Sequence, residues 1–405
     1  MAVLLLLMVE SIALAYPAER NGTAESRVAG AVEAFARGGS VDSNSVAVLV
    51  TDLRSGEVLG EWNASKAMTP ASVMKAVTTA TLLEEVGRDW RYETKVWYTG
   101  RKSGRVLDGN IEVEASGDPS VNSGSLADNP DILSEIGEAL RKAGIDTVRG
   151  RVIIDESRFA GPAINPGWSS GDLPHAYGTG THGFNFEGNA SGGKSVREPS
   201  QTFRSKLSSR LRGNGIVVQD RNVEASGRKL LVNHRSLPVE EIMRSCMMRS
   251  DNQFAEGMMR TVSERTGHDG SIAEGTAHTL EYWRKKGAPV KNVVIKDGSG
   301  LSRGNRLTAR FLGRVLVCMS DDPYYASFFP LAGEEGTLRK FMHGAPLQGK
   351  VAMKTGSMNG IQSYAGYKLD DNYAPTHVIV VMINNMANRA AARAGVQKML
   401  EELFL

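Results

Sequence analysis

Three short stretches of this chain carry side chains suited to acyl transfer. The first is Met68-Thr69-Pro70-Ala71-Ser72-Val73-Met74-Lys75-Ala76-Val77. Apolar residues recur at Val73, Ala76, Val77, Ala80 and Leu83 until Gly87, which is helical spacing; Thr69 is expected to cap the helix and Pro70 to take its first position. Ser72 then sits in the first turn, on one face with Lys75, where a neutral amine can take the hydroxyl proton. Ser-x-x-Lys alone is weak evidence, since about one or two matches arise by chance in a chain of this length. Ser191-Gly-Gly-Lys194 and Ser226-Gly-Arg-Lys229 also match, but both lie in Gly-containing polar stretches that read as loop or turn.

The second stretch is Ser250-Asp251-Asn252, between two helical runs, Val239 to Met248 and Gln253 to Val262. A hydroxyl and a carboxamide two positions apart in a tight connection can serve as a proton shuttle and an anchor for a substrate backbone. For any single Ser-x-Asn a turn residue bonding its own backbone is the commoner outcome, and Ser120-Val121-Asn122 and Ser357-Met358-Asn359 match equally. The third stretch, Lys354-Thr355-Gly356-Ser357, follows Val351-Ala352-Met353 and precedes strand-like runs from Ser363 to Leu369 and from His377 to Ile383. It is expected on a strand of an antiparallel sheet, where Gly356 admits a substrate backbone and Lys354 with Thr355 offers a cation and a hydroxyl to a carboxylate. Lys-Thr-Gly should occur by chance only about 0.1 times in such a chain.

The elements that must position these groups set the frame. The chain has 405 residues, 41% hydrophobic and 23% charged, the composition of an ordinary globular protein of one large or two smaller domains. Its formal charge of +3, with no basic block, gives no sign of nucleic-acid binding. Cys246 and Cys318 are too few for a disulfide framework and are expected as buried free thiols. His175 and His182 lack a third ligand in reach and are expected to be solvated or locally bonded. The apolar run Val3 to Val9 followed by Ala13-Leu14-Ala15 reads as a secretory signal over residues 1–15, although Glu10 interrupts it and a basic start is missing. No other stretch is long enough to span a bilayer.

After a polar Asn21-Gly22-Thr23-Ala24 linker, a helix over 26–37, strands from Ser45 to Leu53 and Glu57 to Trp62, and the Ser72 helix follow. From about Trp90 the texture shifts to short strands and many glycines: Tyr92 to Tyr98, Asn110 to Ala115, a helix from Ile132 to Ala143, and a strand from Val148 to Asp155. Helical, Met-rich sequence returns after Leu237, and Ala387 to Leu403 is an amphipathic helix expected to pack on the sheet. Residues 91–236 are therefore read as an inserted domain, and 25–90 with 237–405 as the domain that carries all three stretches.

The three stretches in this order form the motif set of penicillin-binding proteins and class A β-lactamases. More narrowly, the chain resembles the class C low-molecular-mass penicillin-binding proteins, the D-alanyl-D-alanine carboxypeptidase/endopeptidase family (serine peptidase family S13). The resemblance is carried also by Gly117-Asp118-Pro119-Ser120, Ile154-Asp155-Glu156-Ser157-Arg158-Phe159, Pro166-Gly167-Trp168, Asp172-Leu173-Pro174, Tyr177-Gly178, Phe184-Asn185, Asp297-Gly298-Ser299-Gly300-Leu301-Ser302-Arg303 and Tyr364-Ala365-Gly366-Tyr367. It implies an α+β, β-lactamase/DD-peptidase-like core, an antiparallel sheet flanked by helices, with a large inserted domain. Family members commonly carry a further small domain after the Phe184-Asn185 stretch; here Gly188 to Pro199 is a short link, and that module is expected to be absent.

The resemblance further implies a peptidase acting on peptidoglycan stem peptides through a Ser72 acyl-enzyme, with β-lactams as covalent inhibitors and no metal or organic cofactor. Lys75 would be the base, Ser250 the proton relay, Asn252 the acyl-side anchor, and Lys354, Thr355, Gly356 and Ser357 the carboxylate side. The amides of Ser72 and Ser357 would form the oxyanion hole, and Asp155, Phe159 and Arg303 would help line a diamino-acid subsite. An exported protein, periplasmic or wall-associated, is expected. A β-lactamase would use the same motifs, but no Glu-x-x-Leu-Asn loop lies between Gln253 and Met353; a non-catalytic wall-binding protein would not need the intact set.

Overall fold

The structure, a computed structural model, describes residues 19–405; the expected signal segment lies outside the described residues. Its first helix, α1 (Glu19–Arg37), runs straight through residues 21–24 instead of leaving them as a linker. A helix held by a packed later turn extends backward at little cost per residue, and α1 is held by Val28, Val32 and Phe35.

The principal sheet has five antiparallel strands in the order Val351–Met358, Ile361–Leu369, Pro375–Ile383, Val46–Asp52, Val58–Trp62. The Val46–Asp52 strand lies inside the sheet and is apolar at successive positions because both its faces are covered. Val46, Val48 and Val50 join α1 and the last helix, α9 (Arg389–Phe404), in one core. Ala47 and Leu49 join the other, with α2 (Met74–Val86), α5 (Val239–Arg249), α6 (Asn252–Arg265), α7 (Ile272–Lys285) and α8 (Ala309–Met319). The period of two thus places the sheet between two helical layers.

A third core has buried members running only from Val96 to Ile216. It packs α3 (Ile132–Lys142) and α4 (Pro199–Gly213) against a sheet ordered Arg228–Arg235, Glu93–Thr99, Ile111–Glu114, Val152–Asp155. The expected strand from Val148 to Asp155 is two strands, because Val148 pairs in a second small sheet with Leu107 and Val218. The two ends of this segment are joined: Tyr92 N donates to Ser236 Oγ (3.0 Å), Ser236 N to Tyr92 O (3.0 Å) and Val239 N to Trp90 O (2.8 Å). Residues 188–199 form a small hairpin leading into α4.

Candidate active site

Ser72 lies in a single 3-10 turn, Ala71–Val73, that continues into α2. Pro70, not Thr69, is the cap, and no side chain caps the turn. Thr69 is committed elsewhere: its Oγ1 accepts from Arg306 Nη1 (3.0 Å) and its amide donates to Asn384 Oδ1 (2.9 Å). Ala71 is held in the left-handed region at φ +50°, unusual for a residue with a Cβ. Two glycines allow other chain segments to close on this turn. A Cβ at Gly300 would stand 2.0 Å from Ala71 O, and one at Gly356 would stand 2.6 Å from Pro70 O and 3.1 Å from Ser72 N. The third-motif strand therefore lies directly against the Ser72 turn.

Lys75 is fully buried, and its Nζ meets three oxygens: Ser72 Oγ at 3.0 Å, Asn252 Oδ1 at 2.6 Å and Ser299 O at 2.7 Å. Burial pushes its pKa down, opposed by Cys246, Asp297, Glu256 and Asp251. Ser250 ends α5 in a left-handed conformation (φ +59°) and Asp251 caps α6 by accepting from Phe254 N at 3.0 Å. This sharp junction places Ser250 and Asn252 on the two lysines. Asn252 holds Lys75, while Ser250 Oγ accepts from Lys354 Nζ at 2.9 Å. Lys354 is also fully buried and donates to Thr355 O (2.7 Å); burial holds its pKa well below the ordinary lysine value, and the Lys75 charge adds to the effect.

Behind Lys75 lie residues to which motif reading gave no role. Glu256, one helical turn after Asn252, accepts from Ser299 N at 2.8 Å with Oε1, which fixes the carbonyl that holds Lys75. Burial, with Asp297 nearby, pushes its carboxyl up to about 7. Asp297 accepts from Gly300 N (2.8 Å), Asn305 Nδ2 (2.7 Å), Ser302 N (2.5 Å) and Trp168 Nε1 (2.9 Å). Tyr177 O accepts from Asn252 Nδ2 at 2.8 Å. The Asn252/Glu256 spacing of four on one helix was the signal available for Glu256; Trp168, Tyr177 and Asp297 lay in stretches marked only by resemblance.

The remaining expected site residues divide. Thr355 Oγ1 donates to Thr337 Oγ1 (2.8 Å), Ser357 is exposed one residue beyond Gly356, and Arg303 reaches Asn359 O (3.4 Å) at the end of the same strand. Among the described residues no hydrogen bond joins Asp155 or Phe159 to Ser72, Lys75, Ser250, Asn252 or Lys354. Asp155 ends an edge strand, is exposed and accepts from Ser157 N at 3.0 Å. Phe159 packs over Gly117 and Gly270, with the Arg260 guanidinium 5.6 Å from its ring. Among the other Ser-x-x-Lys matches, Ser191 and Lys194 face each other across a two-glycine hairpin. Cys246 is buried and free, whereas Cys318, also free, is only partly buried. His175 is exposed and stacks on Tyr177, with ring centroids 5.2 Å apart.

A helix-borne Ser/Lys pair, a Ser-x-Asn junction and a Lys-Thr-Gly strand meeting under an antiparallel sheet define a serine peptidase of the DD-peptidase/β-lactamase-like fold. The D-Ala-D-Ala carboxypeptidase 3 (S13) family model matches residues 28–192 and 187–403, and the chain belongs to that family. The carboxypeptidase DacB of Mycolicibacterium smegmatis is 28% identical over 344 residues, 79% of this chain and 72% of that protein. The crystal structure of penicillin-binding protein 4 (DacB) of Haemophilus influenzae superposes with a TM-score of 0.78 at 21% identity, covering 93% of this chain and 99% of that one. The penicillin-G-acylated predatory endopeptidase Bd3459 of Bdellovibrio bacteriovorus gives 0.56 at 16% identity, covering 88% and 91%.

Proposed function

We propose that this protein is an exported D-alanyl-D-alanine peptidase that attacks peptidoglycan stem peptides with Ser72 and is acylated at the same hydroxyl by β-lactams. The observation that carries the reading is Lys75 Nζ held at 3.0 Å from Ser72 Oγ in a fully buried position. Burial favours the neutral amine, which is the form able to accept the hydroxyl proton. Ser72 Oγ bonds to the carbonyl carbon of the terminal peptide bond as its proton passes to Lys75 Nζ. The oxyanion is held by the amides of Ser72 and Ser357. Collapse breaks the bond to the leaving D-alanine, whose nitrogen takes a proton through Ser250. Water then releases the shortened peptide and restores Ser72.

Asn252 anchors the acyl-side backbone, and Lys354 with Thr355 and Ser357 receives the terminal carboxylate. We read residues 91–236 as an inserted domain whose 158–178 segment walls the cleft, supported by the Trp168 and Tyr177 bonds to Asp297 and Asn252. The S13 membership and a penicillin-acylated neighbour of the same fold support the substrate and inhibitor classes. Mass spectrometry of muropeptide monomers and cross-linked dimers incubated with the protein tests the reading. Loss of one alanine from monomers marks a carboxypeptidase and conversion of dimers an endopeptidase; neither product, with Ser72 unlabelled by benzylpenicillin, ends the proposal.

A further inference from the structure

A cavity of about 850 Å³ opens between α6, the start of α7 and residues 160–167; it is lined by none of the three motifs, and it meets the group behind Lys75 only at Ser302, whose amide donates to Asp297. Its inner wall carries Arg260, 2% exposed. Arg260 Nη1 donates to Ala160 O (2.9 Å) and Gly270 O (3.3 Å), and Nη2 to Pro162 O, while buried Nε has no partner among the described residues. No ion pair within 4 Å reaches this guanidinium among the described residues. The acids nearest in charge, Glu256 and Asp269, act on it without an ion pair: Glu256 Oε1 accepts from Ser299 N, its Oε2 is buried with no partner among the described residues, and Asp269 accepts from Ser271 N. A buried cation whose hydrogen bonds all go to carbonyls, with only the Phe159 ring 5.6 Å away besides, is costly, because neutral partners recover only part of the lost hydration.

The rest of the lining indicates what completes it. Helix α7 begins at the cavity, and its cap, Ser271, satisfies Glu274 N, leaving the first-turn amides of Ile272 and Ala273 directed at the helix's N-terminal end. Lys296 is exposed at the rim. The other walls include Pro162, Pro166, Ile272 and Ile295. One partnerless buried guanidinium nitrogen, a helix N-terminus and a rim cation suit a single negative charge, and the apolar walls suit a hydrocarbon body. A phosphate dianion would leave most of its oxygens against apolar surface.

We propose that this cavity is a second binding site, taking a small carboxylate with an apolar body, the chemistry of an N-acylated amino acid or a peptide C-terminus. The test uses the full chain with N-acetyl-L-leucine and its uncharged amide, by titration calorimetry and hydrogen exchange. The acid binds and protects residues 158–167 and 271–276, not 72–75, and the amide binds at least about tenfold more weakly. Arg260→Gln also breaks three carbonyl bonds, so two gentler variants carry the argument. Lys296→Glu weakens binding about tenfold and Ala273→Trp, which fills the mouth, abolishes it. Equal binding of acid and amide, binding unchanged by Ala273→Trp, or protection confined to 72–75 would overturn the proposal. These readouts do not require Ser72 to react, so a failed peptidase assay leaves them standing.

Discussion

The two lysines of the cleft are both fully buried, yet their surroundings differ in kind. Lys75, on the helical side, has three oxygen partners and acidic groups behind it that oppose the effect of burial. Lys354, on the strand side, has Ser250 Oγ and its neighbour's carbonyl, and burial is reinforced by a second cation. Lys75 is therefore poised by the protein alone, suited to exchanging a proton with Ser72. Among the described residues no anion pairs with Lys354, and in the proposed reading a substrate carboxylate supplies it. In the proposed mechanism the same side chain is a base in one setting and a receptor in the other.

Replacing each lysine by methionine breaks that comparison most sharply, since bulk is kept and the amine removed. Lys75→Met should cut the acylation of Ser72 by a fluorescent penicillin about 10³-fold, the scale of a lost general base. Equal loss in both variants would show that the two settings are not distinct. Lys354→Met should cost about 10²-fold and show mainly in KM for substrates ending in a carboxylate. In urea unfolding it should be neutral or stabilising by about 1 kcal/mol, as for a buried charge replaced by an apolar side chain. Lys75→Met should instead destabilise by about 1–3 kcal/mol, because Asn252 Oδ1 and Ser299 O lose their donor.

Glu256 sharpens the helical half of the comparison through pH. Its carboxyl sits at about 7 in the folded chain against an ordinary 4.5. Between those values the native state keeps a proton that the unfolded chain has released, so stability falls as pH rises through that window and levels off above 7. Glu256→Gln retains an acceptor for Ser299 N and should remove this fall, on the order of 3 kcal/mol, as read by urea unfolding at pH 4.5 and 8. The ionised carboxylate also raises the proton affinity of Lys75, so the variant's acylation rate should rise at lower pH than the parent's. A profile that does not move would sever Glu256 from the base.

What could be read in the sequence follows the reach of each signal. The central strand, the Ser72 helix and the Ser250 junction were legible because period, glycine and spacing act within a few residues. Thr69 was misplaced because its partners, Arg306 and Asn384, lie hundreds of positions away, and capping rules see only neighbours. The 21–24 stretch looked like a linker by composition, but the packed turns of α1 override local polarity. Asp155 and Phe159 entered by resemblance alone, and their contacts bind the 91–236 segment together or tie it to α6. The carboxylates behind Lys75 were illegible for another reason: a buried acid has no pattern of its own until the fold shows what it faces.

Trp168 measures the smallest effect, the hold of the 158–178 segment on the helical side. Its Nε1 donates to Asp297 Oδ2 at 2.9 Å, and Asp297 shapes the loop that carries Ser299. Trp168→Phe removes that donor from a charged acceptor and should lower stability by about 1.5–3 kcal/mol in urea unfolding. Acylation should change less than about threefold, because Ser299 keeps Glu256 on its amide and Lys75 on its carbonyl, and Asp297 keeps three other donors. A stability loss with acylation intact would place the poise of Lys75 within the helices and their loop. A fall in acylation approaching that of Lys75→Met would mean instead that the base is set from across the cleft, by a segment that touches neither lysine.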